Sequence, residues 1–195
     1  MKTKACALFF LLGAVVATLG IFTISDLQPK QNAICLNESV QALISPPVAD
    51  EMIAAIDSAE STIDIMLYQF SYSGLKNALV RAVERGVKVR IILEPRVDSN
   101  FPTAEFLASK GIEVKWASKK FANTHAKAAI IDGKRVIAGS INWSNHAMFE
   151  NREIGVLVES AALAGQLLDV FEGDWAAASD YVSGESINAT AATED

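Results

Sequence analysis

Histidine and cysteine are both scarce in this chain, two of each among 195 residues. The histidines are His125 and His146; the cysteines, Cys6 and Cys35, stand far from both. A zinc site gathers about four such ligands at close spacing, so no metal set is available. No cofactor is implied. Cys6 falls in an apolar N-terminal run, which argues against an intradomain disulfide and leaves Cys35 either free, the favoured reading, or linking two chains. An excess of basic charge is also missing: 23 acids face 17 bases, for a net charge of -6. That argues against a nonspecific polyanion binder until the charge is located. Residues 172–195 carry six acids and no base, whereas 26–171 hold 17 acids and 15 bases. The acidity therefore belongs mostly to the tail. At 51% hydrophobic residues the chain is not disordered over most of its length, and it has room for one domain. It contains no internal repeat.

Charge is absent altogether from Ala5 to Ser25, and Lys2 and Lys4 precede that run. About 20 apolar residues cross a hydrocarbon core, and the flanking lysines favour export of the downstream chain. Residues 1–25 are thus either a transmembrane anchor or a signal peptide, with Val15-Val-Ala17 as a cleavage site. Either reading puts the rest outside the cytoplasm, anchored to the membrane or secreted. Residues 26–38 read as a linker, 39–181 as a catalytic domain and 182–195 as an acidic flexible tail. Sequons stand at Asn37, Asn142 and Asn188.

The domain alternates strand and helix. Val40–Ile44 is a short strand, and Asp50–Ala59 has the apolar spacing of a helix. Thr62–Phe70 alternates as a strand, Gly74–Arg85 is a helix stopped by Gly86, and Val87–Leu93 is a β-branched buried strand. Pro102–Ser109 is a helix closed by Gly111, and Ile112–Trp116 is a strand. Two more strands come next, Thr124–Ile131 and Arg135–Ala138, joined by the turn Asp132-Gly-Lys134. Arg152–Val158 is a further strand, Ala161–Ala177 an amphipathic helix, and the chain frays from Ser179. The βαβ rhythm predicts an α/β fold with a mixed, largely parallel sheet flanked by helices.

One stretch stands apart. Thr124-His-Ala-Lys-Ala-Ala-Ile-Ile-Asp-Gly133 sets His125, Lys127 and Asp132 in an apolar run, and ionisable groups there are paired or used. His125 and Lys127, two apart on the expected strand, leave the same face. Ser140 and Asn142 reach the same region from the neighbouring strand. An imidazole, a cation and converging donors suit an anionic substrate that develops charge, such as a phosphodiester. Competing readings exist for each residue. Ser140 and Asn142 are also turn formers, Glu153 beside Arg152 is commonplace on a strand, and His146 offers a second imidazole within the chain. Arg81, Arg85, Lys88, Arg90, Arg96, Lys119 and Lys120 are either a substrate-facing surface or solvated helix faces.

His125-x-Lys127-x4-Asp132, followed by Gly139-Ser140-x-Asn142, resembles the HKD signature of the phospholipase D superfamily. The resemblance extends over roughly Val40 to Tyr181 and includes Arg85–Val89 and Glu153. The chain carries one copy of the motif. In this it is similar to the small secreted bacterial endonuclease and the membrane-anchored mitochondrial branch, which pair two motifs as homodimers. The resemblance implies a metal-independent phosphodiesterase with His125 as nucleophile and the partner's equivalent imidazole as acid, then base. It implies that Lys127, Ser140 and Asn142 hold the non-bridging oxygens and that Glu153 orients the ring. Asp132 belongs to the signature but, at its turn, is expected to brace the hairpin. The shared site implies a two-fold dimer. Nucleic acid is the favoured substrate, phospholipid the alternative, and a catalytically silent phosphate-binding module the third reading.

Overall fold

The computed structural model describes residues 39–184. The N-terminal segment 1–25, the linker 26–38, both cysteines and the tail from 185 on lie outside the described residues. Among the described residues, five helices flank one eight-stranded sheet. In chain order the elements are β1 (Val40–Ser45), α1 (Ala49–Asp57), β2 (Thr62–Leu67), α2 (Ser73–Glu84), β3 (Lys88–Leu93), α3 (Asn100–Ser109) and β4 (Glu113–Trp116). Then come β5 (Lys127–Ile131), β6 (Arg135–Gly139), α4 (Asn145–Phe149), β7 (Glu153–Glu159), α5 (Ala161–Ala177) and β8 (Ser179–Asp180).

The spatial strand order is β1-β7-β6-β5-β2-β3-β4-β8. Of these eight strands, only β2, β3 and β4 pair in parallel; every other strand pairing is antiparallel. The sheet is therefore mixed, as expected, but less parallel than the βαβ rhythm suggests. β1 does run in the same direction as β2. The antiparallel trio β5, β6 and β7 slots between them. The tight β5–β6 turn permits only antiparallel neighbours, and so the parallel series is split. A second difference lies at the C-terminus. Ser179 does not fray: Ser179 and Asp180 pair with Trp116 and Lys115, and Tyr181 packs on the Trp116 ring at 6.0 Å.

Helices α1, α2 and α3 cover one face over a core that includes Ile63, Ile65, Leu67, Leu79, Ile91 and Leu107. Helix α5 covers part of the other, with Phe171 fully buried and Ala164 beside it. Burying a phenyl ring contributes about 2–3 kcal/mol. Arg90 fixes this helix to the sheet. Its guanidinium meets Asp64 and Glu172, both at 2.6 Å, and lies 4.8 Å over Phe171.

Asp132 braces the β5–β6 turn. It has a φ of +54°. Its Oδ1 accepts from the Ser61 amide at 2.8 Å, the Thr62 amide at 3.1 Å and the Ser61 hydroxyl at 2.9 Å. The Glu60 amide and Arg135 also reach the carboxylate. Burial pushes this carboxyl up, but the amides of Ser61, Thr62 and Glu60 and the Ser61 hydroxyl outweigh it and hold it below the ordinary value. The unfolded chain thus binds more protons here than the folded one, so the contribution is full above the ordinary carboxyl pKa. It fades as pH falls through the lowered folded value. Asp132→Asn, a residue that tolerates positive φ, is expected to cost about 1.5–3 kcal/mol at neutral pH. Denaturant melts at neutral and acid pH check this: wild type and variant should converge in acid, and a gap constant with pH contradicts the account.

Candidate active site

The carboxyl ends of β2 and β3, the amino ends of β5 and β7 and the carboxyl end of β6 all meet at one edge of the sheet. His125 sits there, two residues before β5 begins, and not within a strand as its spacing predicts. Its backbone is held on both sides. The amide of Thr124 donates to Glu94 Oε2 at 2.7 Å, and the carbonyl of Ala126 accepts from the Tyr68 amide at 2.8 Å. The imidazole is exposed, with Tyr68 at 4.4 Å between ring centroids.

Lys127 opens β5 opposite Leu67 and is only 8% exposed. Its Nζ lies 2.8 Å from the His125 carbonyl oxygen, 3.1 Å from His125 Nδ1 and 4.9 Å from the centre of the Tyr68 ring. Burial lowers the Lys127 pKa, and the charge of Glu153 opposes that shift. Where Nδ1 accepts from Lys127, a neutral ring keeps its proton on Nε2 and has no lone pair there. A nucleophile needs the reverse arrangement, with a proton at Nδ1 and a lone pair at Nε2.

The remaining expected residues divide. Ser140 comes directly after β6, and its hydroxyl donates to Glu153 Oε2 while accepting from the Ile154 amide at 3.2 Å. Glu153 Oε1 also accepts from Asn151 at 3.3 Å. Glu153 is therefore in the site but is engaged with Ser140 and Asn151, not with the ring it is expected to orient. Asn142 Oδ1 is buried without a hydrogen-bond partner. Asp132 is at the far end of β5 and touches none of the group. His146 is exposed on α4, its Nε2 3.7 Å from Glu150 on the next turn.

Three positioning residues carry no signal in the motif. Asn100, fully buried at the start of α3, donates to the carbonyls of Tyr68 and Glu94 and accepts from the Phe70 amide, each at 2.9 Å. It clasps the ends of β2 and β3 together. Glu94 is also fully buried and accepts from Arg96 Nη1 at 2.8 Å besides Thr124. Trp143 packs edge-on against Phe70 at 5.1 Å, and its carbonyl accepts from the amides of Ser71 and Tyr72. That contact pins the Ser140–Asn142 segment beside the extension of β2. A charged residue closing a buried strand, as Glu94 closes β3, is the one sequence signal that marks this edge.

This is an α/β domain that presents an imidazole and a nearly buried ammonium at the carboxyl edge of its parallel strands. A family model described as "Cardiolipin synthase, PLD-like domain" matches residues 52–175. A phospholipase D from Rickettsia felis is 34% identical over 136 residues, 68% of this chain and 68% of that protein. The mitochondrial cardiolipin hydrolase of Mus musculus is 31% identical over 125 residues, 64% of this chain and 56% of that protein. The chain thus spans little more than half of that relative's length. The crystal structure of Nuc, a phospholipase D family member from Salmonella typhimurium, has a TM-score of 0.71 at 32% identity. The match covers 75% of this chain and 99% of that chain. The chain belongs to the phospholipase D superfamily.

Gly139 sets the approach of β6 to β7. A Cβ there would overlap Gly155 Cα and the Ile154 carbonyl oxygen. Gly139→Ala is expected to lower stability by about 1–3 kcal/mol through overpacking. It should also reduce turnover by moving Ser140 away from Glu153. Thermal melts and steady-state kinetics check both; a variant with wild-type stability and rate would show that the close approach is dispensable.

Proposed function

We propose that the protein is a phosphodiesterase working through a phosphohistidine, with nucleic acid as its favoured substrate. The observation that carries this reading is the His125–Lys127 pair, an exposed imidazole against an almost buried ammonium. Lys127 turns from Nδ1 to the non-bridging oxygens of the diester, and His125, in the tautomer protonated on Nδ1, attacks phosphorus through Nε2 while the leaving oxygen departs from the opposite side with a proton from a second imidazole. Water then attacks the phosphohistidine, the second imidazole takes its proton and the P–N bond breaks. Lys127 faces the non-bridging oxygens as their charge grows, with the Asn142 amide beside it. Phospholipid is the second reading, favoured by the likeness to the mouse cardiolipin hydrolase. The uncharged Ala5–Ser25 run fits both, as an anchor or export signal for a domain that works outside the cytoplasm.

One imidazole is poorly placed to act on both sides of an in-line displacement, so we read the working unit as a two-fold homodimer that shares the site. A surface supports this. Val40, Ala42 and Ile44 on β1 pair with Val158, Val156 and Ile154 on β7, and all six share one face of the sheet. Val40 and Ile154 are 64% exposed and Ile44 is 50% exposed. Monomeric surfaces rarely present such contiguous apolar area. The patch begins one residue from Glu153, so a second copy docked on it by a two-fold axis brings its imidazole toward the first.

Two experiments test this. The full chain, with EDTA present, is offered single-stranded DNA, duplex DNA, RNA, and vesicles of phosphatidylcholine or cardiolipin. DNA or RNA cleavage is expected, with a loss of at least about 10³-fold in His125→Ala. Release from lipid alone moves the assignment to the second reading, and no turnover of any diester rejects both. For the assembly, Ile44→Lys combined with Ile154→Lys is expected to convert a dimer into an inactive monomer on sedimentation. A fully active monomer rejects the shared site.

A further inference from the structure

Several basic residues of the domain close on carboxylates away from His125. Arg81 and Arg85 meet Asp57, Lys88 meets Glu113, and Arg90 meets Asp64 and Glu172. These are absorbed into the scaffold, and Arg85 and Lys88 lie at the sheet edge opposite His125. Two lysines stand on the loop between β4 and β5, which leads directly into His125. Lys119 and Lys120 are exposed there, and Phe121 is 48% exposed with Lys120 Nζ 5.8 Å from its ring centre.

This loop is held in place. The Lys120 amide donates to Ser118 Oγ at 3.2 Å. Arg96 Nη2 donates to the Phe121 carbonyl at 3.4 Å, and Arg96 Nη1 donates to Glu94 at 2.8 Å. Glu94 in turn receives the Thr124 amide. One buried carboxylate thus ties down both Phe121 and the residue before the nucleophile. Phe121 is four residues from His125, so the two are separated by at most about 14 Å of chain.

We propose that the β4–β5 loop is a clamp for single-stranded nucleic acid. Phe121 stacks on a base flanking the scissile phosphodiester, while Lys119 and Lys120 meet the neighbouring phosphates. The proposal rests on the nuclease reading above and deepens it. A lone exposed phenylalanine is ordinary. One fixed by its backbone, flanked by two ammonium groups and set beside a nucleophile for phosphorus is a stacking platform with its own electrostatic funnel. A membrane anchor is the weaker reading, because lipid binding scales with buried apolar area and this loop tip offers a single ring.

The test compares the full-length wild type with Phe121→Ala, Phe121→Trp and Lys120→Ala. Two substrates are used: a labelled single-stranded oligodeoxynucleotide and the small diester bis(p-nitrophenyl) phosphate. In Phe121→Ala the ratio of kcat/KM on the oligonucleotide to that on the small diester is expected to fall about 5- to 100-fold. Phe121→Trp should restore it. Lys120→Ala should flatten the dependence of log KM on log salt by about 0.7. An unchanged ratio in Phe121→Ala overturns the clamp even if wild type cleaves the oligonucleotide. Reduced binding to cardiolipin-containing vesicles with an unchanged ratio overturns it in favour of a lipid contact. If wild type cleaves no nucleic acid, the nuclease reading fails and the clamp with it.

Discussion

The nearly buried ammonium of Lys127 is the constraint on which the site depends. A charge taken out of water is costly unless its donors are satisfied. Lys127 meets that cost with the His125 carbonyl, the His125 ring nitrogen and the face of Tyr68. None of these partners is an anion. The positive charge is held in place without being neutralised at contact, and Glu153 tempers it from further away. An anionic group reaching this edge therefore meets a cation that needs little reorganisation. The surrounding structure keeps the three partners in register: Asn100 fixes Tyr68, Glu94 fixes the backbone before His125, and β2 pairs with β5 up to Lys127 itself.

How much the sequence reveals depends on how local each feature is. The helices and strands between Val40 and Trp116 are readable because apolar spacing and glycine stops act over a few residues. Gly86 and Gly111 do end their helices at positive φ, at +89° and +82°. The motif is readable because His125, Lys127, Ser140 and Asn142 lie on adjacent segments. The strand order is not readable. β1 and β2 run in the same direction, but nothing in their own residues says that three antiparallel strands will come between them. His125 falls outside β5 because long-range bonds to Glu94 and Tyr68 take over its backbone before the ladder starts. Asn100 and Trp143 are invisible for the same reason. Their partners are remote in the chain, and each looks ordinary in its local context.

The two edges of the sheet divide the labour of the charged residues. At one edge Asp132 gathers the amides of Glu60, Ser61 and Thr62, and Arg81 and Arg85 close on Asp57. These charges meet their opposites or a set of backbone donors, which contributes stability and leaves nothing for a ligand. At the other edge Lys127 meets no anion at contact, Asn142 keeps a buried unpartnered oxygen, and Lys120 stands exposed on the loop from Ser118. The spacing of His125, Lys127 and Asp132 thus spans a whole strand, with chemistry at its start and a brace at its end. The length of β5 sets that separation and matches the strand to its neighbours β2 and β6.

Register links the site to the apolar face beside it. Strand side chains alternate, so a slip of one residue in β7 would move Ile154, Val156 and Val158 to the covered face and turn Leu157 outward. The pairing of Gly139 with Gly155 opposes such a slip. Two residues without Cβ meet there, and a side chain at position 139 has no room. A shift in either direction would bring a branched residue, Ile154 or Val156, opposite Gly139. The same contact delivers Glu153 to Ser140 and leaves the six apolar residues of β1 and β7 together on one surface. Active-site geometry and the surface available to a second copy are thus set by a single choice of strand register.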